Sequence, residues 1–162
     1  MGTDSALYEI VLLVHIVAVI VGFGGVITHG AYNSKAFRGS GKTAGELLTA
    51  TKDVTNIAHY AIYAVLPLGI VLVAISDKTF TFADPWVSAS FVIWFLMVGA
   101  AHGAVRPAVA KLAERANAIS PDSALDTDAE AVAASRKLMI GEAATQLLLV
   151  VAVALMIFKP GA

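Results

Sequence analysis

Apolar residues run along this chain in four long blocks separated by polar connections. Each block approaches the roughly 20 residues a helix needs to cross the hydrocarbon core of a bilayer. The pattern predicts an all-α protein, a four-helix transmembrane bundle, with spans near residues 8–29, 54–76, 85–105 and 139–158. These spans and their connections use nearly all of the 162 residues. The chain therefore reads as a single integral membrane domain over 1–162, with no room for a separate soluble catalytic domain. The first block does not read as a cleavable leader. It is longer than a leader's apolar core, and Asp4 and Glu9 precede it with no Lys or Arg.

The polar positions inside the blocks fall into stripes. In the second span Asn56, His59 and Tyr63 share one helix face, and in the fourth Glu142, Thr145, Gln146 and Leu149 do the same. The first span carries a stripe of small residues, Ala18, Gly22 and Gly25, that ends in His29. The third places Gly99 and Gly103 around His102, a spacing that lets membrane helices approach closely. Polar groups in membrane bundles face inward, so these stripes are expected to converge. Pro67 in the second span and Pro107 at the end of the third can each kink a helix.

Between the spans, residues 30–45 are rich in Gly, Ser and Lys and read as a flexible loop. Residues 108–117 read as a helical extension of the third span. Ser120-Pro121-Asp122 reads as a turn or a helix start, and Asp126, Thr127 and Asp128 offer N-caps for a helix running into the fourth span. Tyr8, Trp86 and Trp94 lie near span ends on one side, as an aromatic belt would.

Charge sets the expected orientation. Lys35, Arg38, Lys42 and Lys52 follow the first span, and Arg106, Lys111, Arg115, Arg136 and Lys137 lie between the third and fourth. The other side holds only Lys78 and Lys159, so eleven basic residues divide nine to two. The positive-inside rule then puts two basic loops in the cytoplasm and both termini outside a bacterial-type plasma membrane, N-out and C-out.

Composition narrows the chemistry. With 58% hydrophobic and 14% charged residues and a mean hydropathy of +0.79, the chain is far more apolar than a soluble domain. A net charge of −1 gives no basic footprint for nucleic acid. The absence of cysteine excludes disulfides, zinc–thiolate sites, iron–sulfur clusters and thiol chemistry. A Walker-like stretch, Ala36 to Thr43, follows a membrane span rather than a strand, so no nucleotide site is expected there.

Ionisable groups are costly in hydrocarbon and are functional candidates by default. All four histidines of the chain lie in the spans. With the expected orientation, His29, His59, His102 and Glu142 share the inner half of the bilayer, one from each helix, while His15 lies in the outer half.

Three readings follow. Histidines on facing helices can ligate haem b, with His15, His29, His59 and His102 as candidates and His59 with His102 or His29 serving one inner haem. His15 and His29, fourteen residues apart, return to nearly the same helix face. Alternatively His29, His59, His102 and Glu142 can hold a transition metal ion. The third reading needs no cofactor: the histidines bond across helices, Glu142 pairs with Arg106 or a histidine, and the chain is an accessory or assembly subunit. Its small-residue faces would then pack on membrane-protein partners or a second copy. Ion or proton conduction along Glu142 and the histidines is a further possibility.

The first span reads Leu13-Val14-His15-Ile16 and then Gly22-Phe23-Gly24-Gly25, and the third ends in Arg106-Pro107. This resembles a small four-span predicted integral membrane protein family of unknown function. It is more distantly similar to copper-resistance-D-like membrane domains and to the membrane-type protoporphyrinogen oxidase of haem synthesis. The likeness to the oxidase implies that His15 is associated with haem or porphyrin. The chain departs from that enzyme in having Ala18 to Gly22 where a tryptophan is typical, and no lysine in the third span before Lys111.

Overall fold

A computed structural model describes residues 2–161, the side chains of 52–55 excepted. Six helices follow one another: α1 (Ala6–Phe37), α2 (Gly41–Ala50), α3 (Lys52–Ile75), α4 (Pro85–Ala100), α5 (Arg106–Ala118) and α6 (Ala129–Phe158). A π-helical turn, Ala101–Val105, joins α4 to α5 in one continuous rod. The one β pairing among the described residues is an isolated bridge between Ser40 and Ala124.

Four of these segments are long and apolar enough to cross a membrane: α1, the part of α3 from Asn56, the α4–α5 rod and α6. Their apolar side chains are mostly not packed on one another. Only 11% of the most apolar window of α1, and 28% of that of α6, is buried within the protein. Leu13, Ile20, Phe95, Ile140, Leu147 and Phe158 all point outward. A water-soluble protein rarely carries so continuous an apolar surface, whereas lipid covers it without cost.

The order of packing is α3 on α1, α1 on α6, and α6 on α4. The α3–α4 seam is bridged by side chains. The Trp94 indole donates to the Ile62 carbonyl at 2.9 Å, and the Tyr63 hydroxyl meets His102 at 3.1 Å. Trp94 thus ties α4 to α3. Within the membrane zone Ile93, Met97, Leu149 and Ala152 form an apolar cluster flanked by Phe23 and Leu148.

At 32 residues, α1 is about 48 Å long against a hydrocarbon core of about 30 Å. The surplus projects from the basic end and builds a second core outside the membrane zone. Ala36, Ala44, Leu48, Ala108, Leu112, Ala116, Leu125, Ala131 and Leu138 pack there from α1, α2, α5, the 125–127 turn and α6. This corrects the expectation of a flexible 30–45 loop, because α1 continues to Phe37 and α2 starts at Gly41.

The start of α2 also disposes of the Walker-like stretch. Its first amides are already engaged: Gly41 with the Ser123 carbonyl, Lys42 with that of Pro121, and Thr43 with the Ser40 hydroxyl. No donor fan remains to cradle a phosphate. Ser120–Asp122 forms a turn, not a helix start, and Asp128 is the N-cap of α6, accepting from Ala131 at 2.8 Å.

Candidate functional site

Three polar side chains meet in the membrane zone near the basic end. Glu142 Oε1 lies 3.2 Å from His29 Nδ1, and Asn33 Nδ2 donates to the same oxygen at 2.8 Å. The Asn33 amide nitrogen is also 3.0 Å from His29 Nδ1. All three residues are buried. His29 and Asn33 are four apart on α1 and so share a face. Glycines give the carboxylate its place. A Cβ on Gly30 would stand 3.2 Å from Glu142 Oε2, and one on Gly141 would press on Val105 and Ala104 at 3.0 and 3.2 Å.

Beside this triad is a small cavity of ≈40 Å³ between α1, α3, α4 and α6. Its polar lining is His29, His59, Tyr63, Glu142 and Thr145. A water needs roughly 10–15 Å³ on this measure, so the space suits one or more hydrogen-bonded waters.

A second polar group lies at the cavity's edge. His102 Nδ1 faces the Val98 carbonyl at 3.0 Å, while Nε2 faces both the Tyr63 hydroxyl and Arg106 Nη1 at 3.1 Å. His102 and Arg106 are exposed, and Tyr63 stacks on His59 with ring centroids 6.3 Å apart. His15 is remote from both groups, buried on α1 against the Gly69 position of α3, with Phe23, Met97 and Leu149 belonging to the intervening apolar layer.

The candidate residues thus fare differently. His29 and Glu142 meet directly, His59 joins them around the cavity, and His102 forms a separate group reached through Tyr63. Glu142 pairs with His29, while Arg106 turns to His102. The small-residue stripe of α1 is buried at Gly22, Gly25 and His29, and the α6 stripe at Glu142, Thr145 and Leu149. Gly99 and Gly103 behave oppositely: both are exposed, with nothing within 4 Å of a Cβ built on them. Asn33 was not among the sequence candidates, since it falls in the stretch that reads as loop. Its i+4 relation to His29 is the signal that could have found it.

The cavity beside the triad, at ≈40 Å³, is far below haem size. Ligand pockets of that scale measure about 300 Å³ or more. Among the described residues no three His, Asp or Glu side chains converge closely enough to hold a metal ion.

Four apolar helices and a polar cluster inside them define a multi-pass integral membrane protein. Residues 9–160 match the model of the family described as predicted integral membrane protein (DUF2269), and the chain belongs to that family. No curated protein and no solved structure matches the chain.

Proposed function

We propose that this protein binds and releases a proton at the His29–Asn33–Glu142 triad, reached from the basic end of the bundle, which faces the cytoplasm of a plasma membrane. The carrying observation is the buried Glu142 carboxylate, 3.2 Å from an imidazole inside a membrane helix bundle. In a low-dielectric setting such a pair favours its net-neutral form, with one proton shared between carboxylate and imidazole. Losing that proton leaves a negative charge, which the Asn33 amide donor stabilises. The apolar layer around Ile93, Met97 and Leu149 favours a site open to one side over a continuous pore.

Infrared titration of the protein in bilayers tests this. The reading requires a protonated-carboxyl band that appears and disappears with pH and is missing in Glu142→Gln. Identical spectra for the two proteins contradict it.

A second reading, attachment to another copy of the chain, is favoured by the outward-facing Gly99 and Gly103. Small residues at this spacing let two membrane helices approach closely. The two readings are compatible, since the glycine pair takes no part in the triad.

A further inference from the structure

Pro107 has no N–H, and in a regular α-helix its ring would press on the carbonyl four residues back, that of Gly103. One turn earlier the rod widens: the Arg106 amide reaches back five residues to Ala101, giving the π turn Ala101–Val105. Such turns recur at functional sites. This one carries His102 and presents its ring to Tyr63 of α3.

The hydrogen bonds define the state of the ring. Nδ1 faces only a carbonyl, that of Val98, so Nδ1 carries the proton and donates. Nε2 is then an acceptor facing two donors, the Tyr63 hydroxyl and the Arg106 guanidinium. Tyr63 touches both worlds, because it lines the cavity shared with Glu142 and also bonds an exposed histidine.

We propose that His102 and Tyr63 form the proton relay between the exposed basic face and the Glu142 site, with Arg106 holding the resting tautomer. This rests on the proton-binding reading above. A proton arriving on His102 Nε2 makes the ring a donor there and displaces the Arg106 contact. Nε2–H then passes its proton to the Tyr63 oxygen as the hydroxyl gives its own proton to a water in the cavity and on to the Glu142 carboxylate. One O–H bond forms on Tyr63 and one breaks, so the tyrosine stays neutral and His102 returns to the Nδ1–H form. No electrons move, and water is the only further reactant. The charged and titratable groups facing His102 are Arg106 on its own rod and Tyr63 on α3, with His59, His29 and Glu142 around the cavity.

The full chain in lipid bilayers is subjected to a rapid pH jump, and the Glu142 carboxyl infrared band is followed in time. Tyr63→Phe and His102→Gly are each expected to slow the band's appearance tenfold or more while leaving its equilibrium midpoint in place. Added imidazole should restore the rate in His102→Gly and do nothing for Tyr63→Phe. An unchanged rate in Tyr63→Phe overturns the relay, as does a slowed rate that comes only with a displaced midpoint, or a failure of imidazole to rescue His102→Gly. A wild-type protein with no titrating Glu142 band refutes the proton-binding reading, and the relay with it.

Discussion

Glu142 on α6 and His29 on α1 are 113 residues apart in sequence, yet Glu142 Oε1 and His29 Nδ1 lie 3.2 Å apart in the buried membrane zone. Neither helix alone accommodates an ionisable group there at low cost. Packed together, each supplies the other's partner, and Asn33 supplies the extra donor. The pair therefore joins α1 to α6 at the site proposed to bind a proton.

If Asn33 bonds Glu142 as described, the two residues are energetically coupled. Asn33→Ala and Glu142→Ala, singly and together, form a double-mutant cycle in mixed micelles. A coupling of about 1 kcal/mol is expected, typical of interhelical hydrogen bonds in membranes. Strict additivity would mean the bond does not contribute.

Gly30 makes room for the carboxylate. Gly30→Val should force Glu142 aside and destabilise the protein by about 1–3 kcal/mol, the usual range for overpacking. Gly24→Val is the control, because a Cβ there meets nothing within 4 Å. Equal melting temperatures for the two variants would contradict the packing at Gly30.

The chain contains no cysteine, so a single Gly99→Cys substitution reports copy-to-copy contact cleanly. Oxidation in membranes is expected to give a disulfide-linked dimer, and adding Gly103→Leu should abolish it. A monomer under the same conditions argues against this face as a contact between copies.

The extramembrane core carries its own pH dependence. The Arg115 guanidinium, bonded to Asp128, holds that carboxyl below its ordinary value of 3.8, and Lys111 holds Glu130 below 4.5. Both carboxylates therefore favour the folded state above those ordinary values, and the benefit is lost as pH falls through the depressed ones. Lys111 is raised above 10.5 by Glu130 and Glu114, so its contribution persists below that pH and fades as pH rises through the raised value. The protection of the first turns of α6 against hydrogen exchange, taken relative to the intrinsic rate at each pH, should stay constant at intermediate pH and fall at both extremes. Arg115→Ala should weaken the acid limb and spare the alkaline one.

Much of the architecture was legible because bilayer thickness constrains sequence strongly: all four spans follow from apolar run length, and the three N-cap candidates Asp126, Thr127 and Asp128 include the one used, Asp128. The stretch from Gly30 to Gly45 misled because glycine has two uses. At Gly30 it makes room for a side chain of another helix, and single-helix composition does not distinguish that from flexibility. Gly99 and Gly103 misled in the opposite sense, since a small-residue pair marks a surface of close approach but does not say to what. His29 and Glu142 were recoverable from depth and face. Asn33 was lost with the supposed loop. His102 lies in the π turn, which regular helical spacing does not anticipate, and it groups with Tyr63 and Arg106.

The central claim is the contact between His29 and Glu142 inside the bilayer. Solid-state NMR of protein with ¹⁵N-labelled histidine and ¹³C-labelled glutamate carboxyl, in lipid bilayers, measures it directly. The account requires a dipolar coupling between a histidine ring nitrogen and a glutamate carboxyl carbon that disappears in both His29→Gln and Glu142→Gln and survives in His15→Gln. A spectrum with no such coupling, or one that persists in Glu142→Gln, would contradict it.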